Sequence, residues 1–134
     1  MERIKIKSDI KVFCVQADSF PEGVQKAHQA LHTFVPFSDQ RNYFGLSRME
    51  NGKIIYIAAA EEFAAMEFAQ HGLQQLTVPA GEYQCIVVTD FMKNITKICA
   101  AFDRLIQLPD IDPEGYCLEW YVSDKDVRCM VRVV

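Results

Sequence analysis

The sequence predicts an α+β fold in which the order strand–helix–strand–strand occurs twice. Three observations predict it. Alternating apolar runs of strand length flank two helical stripes, a proline ends each stripe, and each half closes on a pair of strands joined by a polar turn. The strands are expected to form an antiparallel-rich sheet with both helices on one face. The chain is expected to be one domain, 1–134, with pseudo-repeats 1–60 and 74–134.

The first half opens on two alternating runs, Arg3–Lys7 and Ile10–Val15, each patterned as a half-buried strand. Ser19-Phe20-Pro21-Glu22 then reads as a capping box with proline near the first helical position. Val24, Ala27, Leu31, Phe34 and Val35 fall on one helical face, and Pro36 stops it. Tyr43–Met49 and Lys53–Ala60 form a hairpin through Asn51-Gly52, a pair that tolerates the positive φ of a type I′ turn. Glu61–Gln70 joins the halves as a short helix or an ordered loop.

In the second half, Leu76–Val78 and Glu82–Thr89 read as strand, bent at Pro79-Ala80-Gly81. Asp90 is the expected cap of a helix whose stripe is Ile95, Ile98, Cys99, Phe102, Leu105 and Ile106, and Pro109 ends it. A second hairpin, Tyr116–Val122 with Val127–Val133, closes the chain through Ser123-Asp124-Lys125-Asp126.

Composition narrows the function classes. Half of the 134 residues are hydrophobic and 24% are charged, as in a folded globular domain. A formal net charge of −4 argues against direct nucleic-acid binding, which needs clustered Lys and Arg; Arg3, Lys5 and Lys7 read as the solvated edge of a strand. No apolar run reaches the ~20 residues of a membrane span, and Met1-Glu2-Arg3 does not start a signal peptide. Five scattered cysteines without a CxxC pair read as reduced thiols, which places the chain in the cytoplasm. His28 and His32 have the spacing of a metal pair but no third ligand nearby, so no metal and no cofactor is expected.

The residue that matters most is Glu119, one carboxylate within Tyr116–Tyr121. An acid at mid-strand is costly to hide, so it either faces water or is kept for a ligand. A four-residue turn at Ser123–Asp126 would set Trp120 opposite Cys129 and Leu118 opposite Val131 on the helix side. It would set Tyr121 opposite Arg128, Glu119 opposite Met130 and Cys117 opposite Arg132 on the other side. In the first hairpin the Asn51-Gly52 turn sets Leu46 opposite Ile57 and Arg48 opposite Ile55, with Ser47 opposite Tyr56 and Gly45 opposite Ala58 on the other side. Glu119, Tyr121, Tyr56 and Met130 then share the face away from the helices, where they would line a ligand cleft. Tyr43, Tyr83 and Arg128 are further candidate ligand-binding residues. Arg128 and Arg132 become diagonal neighbours of Glu119. A solvated ion pair with either arginine is the plain alternative for that acid, worth at most about 1 kcal/mol.

Leu76-Thr77-Val78-Pro79-Ala80-Gly81-Glu82-Tyr83 is similar to the "ipaGxY" entry, and Leu118-Glu119-Trp120-Tyr121 to the "fExY" strand, of the GyrI-like effector-binding domains of bacterial multidrug-responsive regulators. Tyr56 and the closing strand Val127–Val133 also resemble that family, so the likeness spans nearly the whole chain. The order of the pieces carries more than any one of them. The resemblance implies a duplicated fold with a ligand cleft at its pseudo-twofold, and it puts the acid that meets cationic aromatic compounds at Glu119. No helix-turn-helix segment is expected before or after the domain, and the family's proline near the C-terminus is absent from Val131-Arg132-Val133-Val134.

Three functions follow as expectations. The first is capture of hydrophobic, cationic or amphiphilic small molecules, with Glu119 supplying charge and Tyr56, Tyr121 and Met130 adaptable apolar contact. The second, implied by the resemblance, is hydrolysis of strained cyclopropane xenobiotics, with Glu119 as general base or proton donor and Tyr121 orienting water or substrate. The third, also implied by it, is a protein-interaction module acting on gyrase. A homodimer is left open.

Overall fold

The computed structural model describes residues 1–34, 36–64 and 71–134. Val35 and most of the Glu61–Gln70 connection therefore lie outside the described residues. The chain is α+β, with eight strands and two α-helices among the described residues. In order these are β1 (Glu2–Ile6), β2 (Ile10–Gln16), α1 (Val24–Phe34), β3 (Tyr43–Glu50), β4 (Lys53–Glu61), β5 (Gln74–Val78), β6 (Gly81–Val88), α2 (Ile95–Leu105), β7 (Cys117–Tyr121) and β8 (Val127–Val133). A single 3-10 turn, Phe91–Lys93, precedes α2.

Two compact units result, Asp9–Val78 and Met1–Ser8 with Pro79–Val134. In the first, antiparallel pairing gives the order β3-β4-β2-β5, and α1 packs on β2 and β4. In the second, it gives β7-β8-β6-β1, and α2 packs on β6 and β8. The partners of the outer strands are not sequence neighbours: β1 pairs with β6, and β5 with β2.

The β3–β4 hairpin has the expected register, with Leu46 opposite Ile57 and Ser47 opposite Tyr56. Asn51 and Gly52 both take positive φ, 52° and 78°, as the tight turn requires. The expected faces are reversed, however. Tyr56 is 2% exposed and lies under α1, its hydroxyl 2.9 Å from His28 Nε2 and its ring stacked on Phe20 at 6.0 Å. Phe44, Leu46, Ile57 and Ala59 point the other way and are also buried. Tyr56 thus belongs to a helix–sheet layer and not to an open sheet face.

The β7–β8 register is one residue shorter than expected. Val122 N–H donates to Asp126 O at 3.2 Å, so three residues and not four make the turn. The cause is Ser123, whose Oγ accepts the N–H groups of Lys125 (3.1 Å) and Asp126 (3.0 Å) and draws the loop in. Glu119 therefore lies opposite Cys129, Tyr121 opposite Val127, and Trp120 opposite Arg128. A slip of one residue turns every side chain of β7 over. Cys117 and Tyr121 join Val127, Cys129 and Val131 in the cluster that packs against Ala101 and Leu105 of α2, while Trp120 leaves that face.

Neither helix starts as expected. α1 begins at Val24, and Ser19–Gly23 is a turn in which Gly23 N–H donates to Ser19 O and Val24 N–H to Pro21 O, both 3.2 Å. The Phe20–Pro21 peptide is cis. Asp90 makes no side-chain cap; it takes φ 48°, and Asn94 ties the entry to α2 by donating Nδ2–H to Thr89 O (3.2 Å) and Asp90 O (3.1 Å). No described helix is long and apolar enough to cross a membrane.

Candidate functional site

Glu119 stands at the middle of β7, which runs along the flank of α2 because the helix covers β6 and β8. Two residues on, on the same face, the Tyr121 hydroxyl donates to Glu119 Oε1 at 2.5 Å. The Tyr121 ring meets Phe91 at 5.3 Å between centroids, inclined at 60°. Phe91 is fixed in turn by its N–H, which donates to Lys125 O at 2.9 Å. The result is an acid with a phenol donor, two rings beside it and an apolar floor that includes Val127 and Cys129. Glu119 and Tyr121 are half-buried, so the charge is held partly out of water but within its reach.

The charge is felt locally. Burial first, and the negative charge of Glu119 second, push the Cys117 thiol up to about 11 and keep that of Cys129 near 12. Both thiols stay protonated at neutral pH, so neither is an activated nucleophile.

The two arginines expected beside this acid, Arg128 and Arg132, turn to other partners. Arg132 Nη1 pairs with Asp112 Oδ2 at 3.1 Å and its Nε donates to Ala80 O at 3.0 Å. A Cβ on Gly81, whose φ is 138°, would lie 2.8 Å from that Nε. Arg128 places its guanidinium 5.2 Å from the Trp120 ring centre, on the face turned away from Glu119.

The other expected residues are dispersed among the packing. Met130 is fully buried opposite Leu118. Tyr83 is 2% exposed and donates its hydroxyl to Pro79 O at 2.7 Å. Tyr43 accepts from Ser38 N–H at 2.9 Å, stacks on Phe37 and meets the His32 ring at a tilt, and Tyr56 is bonded to His28 as above. Of the seven expected ligand-binding residues, Glu119 and Tyr121 come together as a bonded pair. Phe91 was not among those expected. Its signal is an apolar pair, Phe91-Met92, inside the short connection between a strand and a helix stripe, where polar residues are the rule.

Neither a protein-family model nor a curated protein sequence matches the chain. Solved structures do. An integron cassette protein from the mobile metagenome of Vibrio cholerae superposes with a TM-score of 0.68 at 14% identity, over 99% of this chain and 95% of that one. SAV2435, in a structure bound to tetraphenylphosphonium, gives 0.63 at 11% identity, over 98% and 93%. A hydrolase from Listeria innocua gives 0.59 at 15% identity, over 99% and 90%. The chain shares the fold of these structures, which is consistent with the GyrI-like effector-binding fold that its motifs resemble. At these identities the likeness carries the fold and leaves the chemistry to the residues of this chain.

Proposed function

We propose that this chain binds hydrophobic, cationic or amphiphilic small molecules, and that Glu119 is the group that meets the positive charge. The single observation that carries this reading is the Tyr121–Glu119 hydrogen bond on a patch of rings and apolar side chains. A half-buried carboxylate there loses hydration, and a lipophilic cation offers it an opposite charge while its apolar groups cover Phe91 and Tyr121. The fold neighbour bound to tetraphenylphosphonium, a lipophilic cation, supports the same ligand class. The occurrence of strand, helix, strand and strand in each unit supports reading the chain as two repeats of one ligand-binding module.

Calorimetric titration with tetraphenylphosphonium tests the proposal. Glu119→Gln keeps the shape and removes the charge, and is expected to weaken binding about tenfold, the worth of one partly screened charge contact. Tyr121→Phe is expected to weaken it less, since the carboxylate remains. Equal affinities for wild type and Glu119→Gln would end the claim.

The likeness to the Listeria hydrolase favours a second reading, in which the same pair turns a substrate over. Glu119 would then take a proton from water while Tyr121 orients it. Incubation with an electrophilic cyclopropane compound separates the two: a product heavier by one water means turnover, and intact compound means binding alone.

A further inference from the structure

A depression of about 310 Å³ lies in the Asp9–Val78 unit where the end of β2 meets the entry to α1. Its floor includes Val15, Ala27 and Ala30, and its rim carries Asp18, Glu22 and Lys26. Backbone hydrogen bonds fix the walls: Ala17 N–H to Tyr56 O at 2.9 Å, Gly23 N–H to Ser19 O at 3.2 Å and Ala27 N–H to Gly23 O at 3.0 Å. Gly23 keeps the turn tight, since a Cβ there would sit 2.8 Å from Ser19 O. The hollow is therefore formed before anything enters it, at the small end of ligand sites (roughly 300 Å³ and above).

Its charges are the informative part. Among the described residues, none of Asp18, Glu22 and Lys26 takes an ion pair or a side-chain hydrogen bond. Charges of opposite sign thus ring one apolar floor without neutralising each other. A partner carrying both charges close together would satisfy both at once, and its apolar remainder would rest on the alanines. We infer that this depression binds a small zwitterion, of the class of an α-amino acid with a short apolar side chain. Its ammonium would meet Asp18 and Glu22 and its carboxylate Lys26. A lipophilic cation lacks the second charge, so this site goes beyond the ligand proposed for Glu119 and uses none of the same residues.

Shift titration of the ¹⁵N-labelled full chain with L-leucine, L-leucinamide and 4-methylpentanoate tests it. Leucine is expected to give saturable shifts at Ala17 and Glu22–Ala30. The two singly charged analogues are expected to bind about tenfold more weakly, the equivalent of one charge-assisted contact. Lys26→Gln should abolish the preference for leucine over leucinamide, Lys26→Arg should restore it, and Glu119→Gln should leave leucine binding as in wild type. Leucine and leucinamide titrating alike, or no saturable shift at these residues, would overturn the inference.

Discussion

Tyr56→Ala is expected to lower the unfolding free energy by about 3–5 kcal/mol, the range for deleting a large buried aromatic ring. The residue is 2% exposed and fills the layer between α1 and β4. Its loss removes the stack on Phe20 and the partner of His28 together. Tyr56→Phe keeps the ring and removes only the 2.9 Å contact to His28 Nε2, so about 1 kcal/mol is expected from that change. Urea unfolding of the two variants separates packing from hydrogen bonding. A tyrosine on an open sheet face would show changes within about 0.5 kcal/mol for both.

Acidification is expected to destabilise the fold through His28 over a defined window. Burial first, and the nearby His32 second, lower its pKa from 6.5 to about 4. The unfolded chain takes up this proton below pH 6.5, whereas the folded chain resists it until about pH 4. The unfolded state therefore binds more protons between those values, and stability falls as the pH drops through that range. The stabilisation is complete above 6.5 and gone at and below 4. The interval between 6.5 and about 4 corresponds to about 3 kcal/mol. Burial lowers the His32 pKa too, so its contribution has the same sign. His28→Gln keeps a polar side chain beside Tyr56 without a titrating group, and its unfolding free energy is expected to flatten over this window, leaving the part due to His32 and the carboxylates.

How much of this was legible in the sequence depends on where the deciding force is local. The Asn51-Gly52 hairpin could be read residue for residue, because two adjacent positive φ angles fix both turn and register. The stripe of α2 was legible in part: Ile98, Phe102 and Leu105 face one cluster together with Ala101, while Ile95, Cys99 and Ile106 of the expected stripe are exposed. The choice of which face of β4 meets a helix was not legible. Tyr56, Ile57, Ala58, Ala59 and Ala60 are all buried, so alternation carries no signal there. The β7 register failed on one hydroxyl, as Ser123 shortens the loop by a residue and moves Glu119 and Tyr121 to the side of α2. The pairings of β1 with β6 and β5 with β2 are set by contacts far apart in sequence, which no local pattern encodes.

Glu119 was singled out by chemistry rather than by pattern: one acid in a run of rings is expensive unless something uses it. The correct register alters its neighbours without weakening that argument. Arg132 goes to Asp112 and Arg128 to Trp120, and the acid accepts from Tyr121.

Mapping tetraphenylphosphonium onto the ¹⁵N-labelled chain by amide shift changes tests the central claim most directly. If a cation is held at Glu119, the largest changes fall on Cys117–Tyr121, Cys129 and Phe91, and they vanish together in Glu119→Gln. Changes confined to the Asp9–Val78 unit, with β7 unmoved, would contradict it.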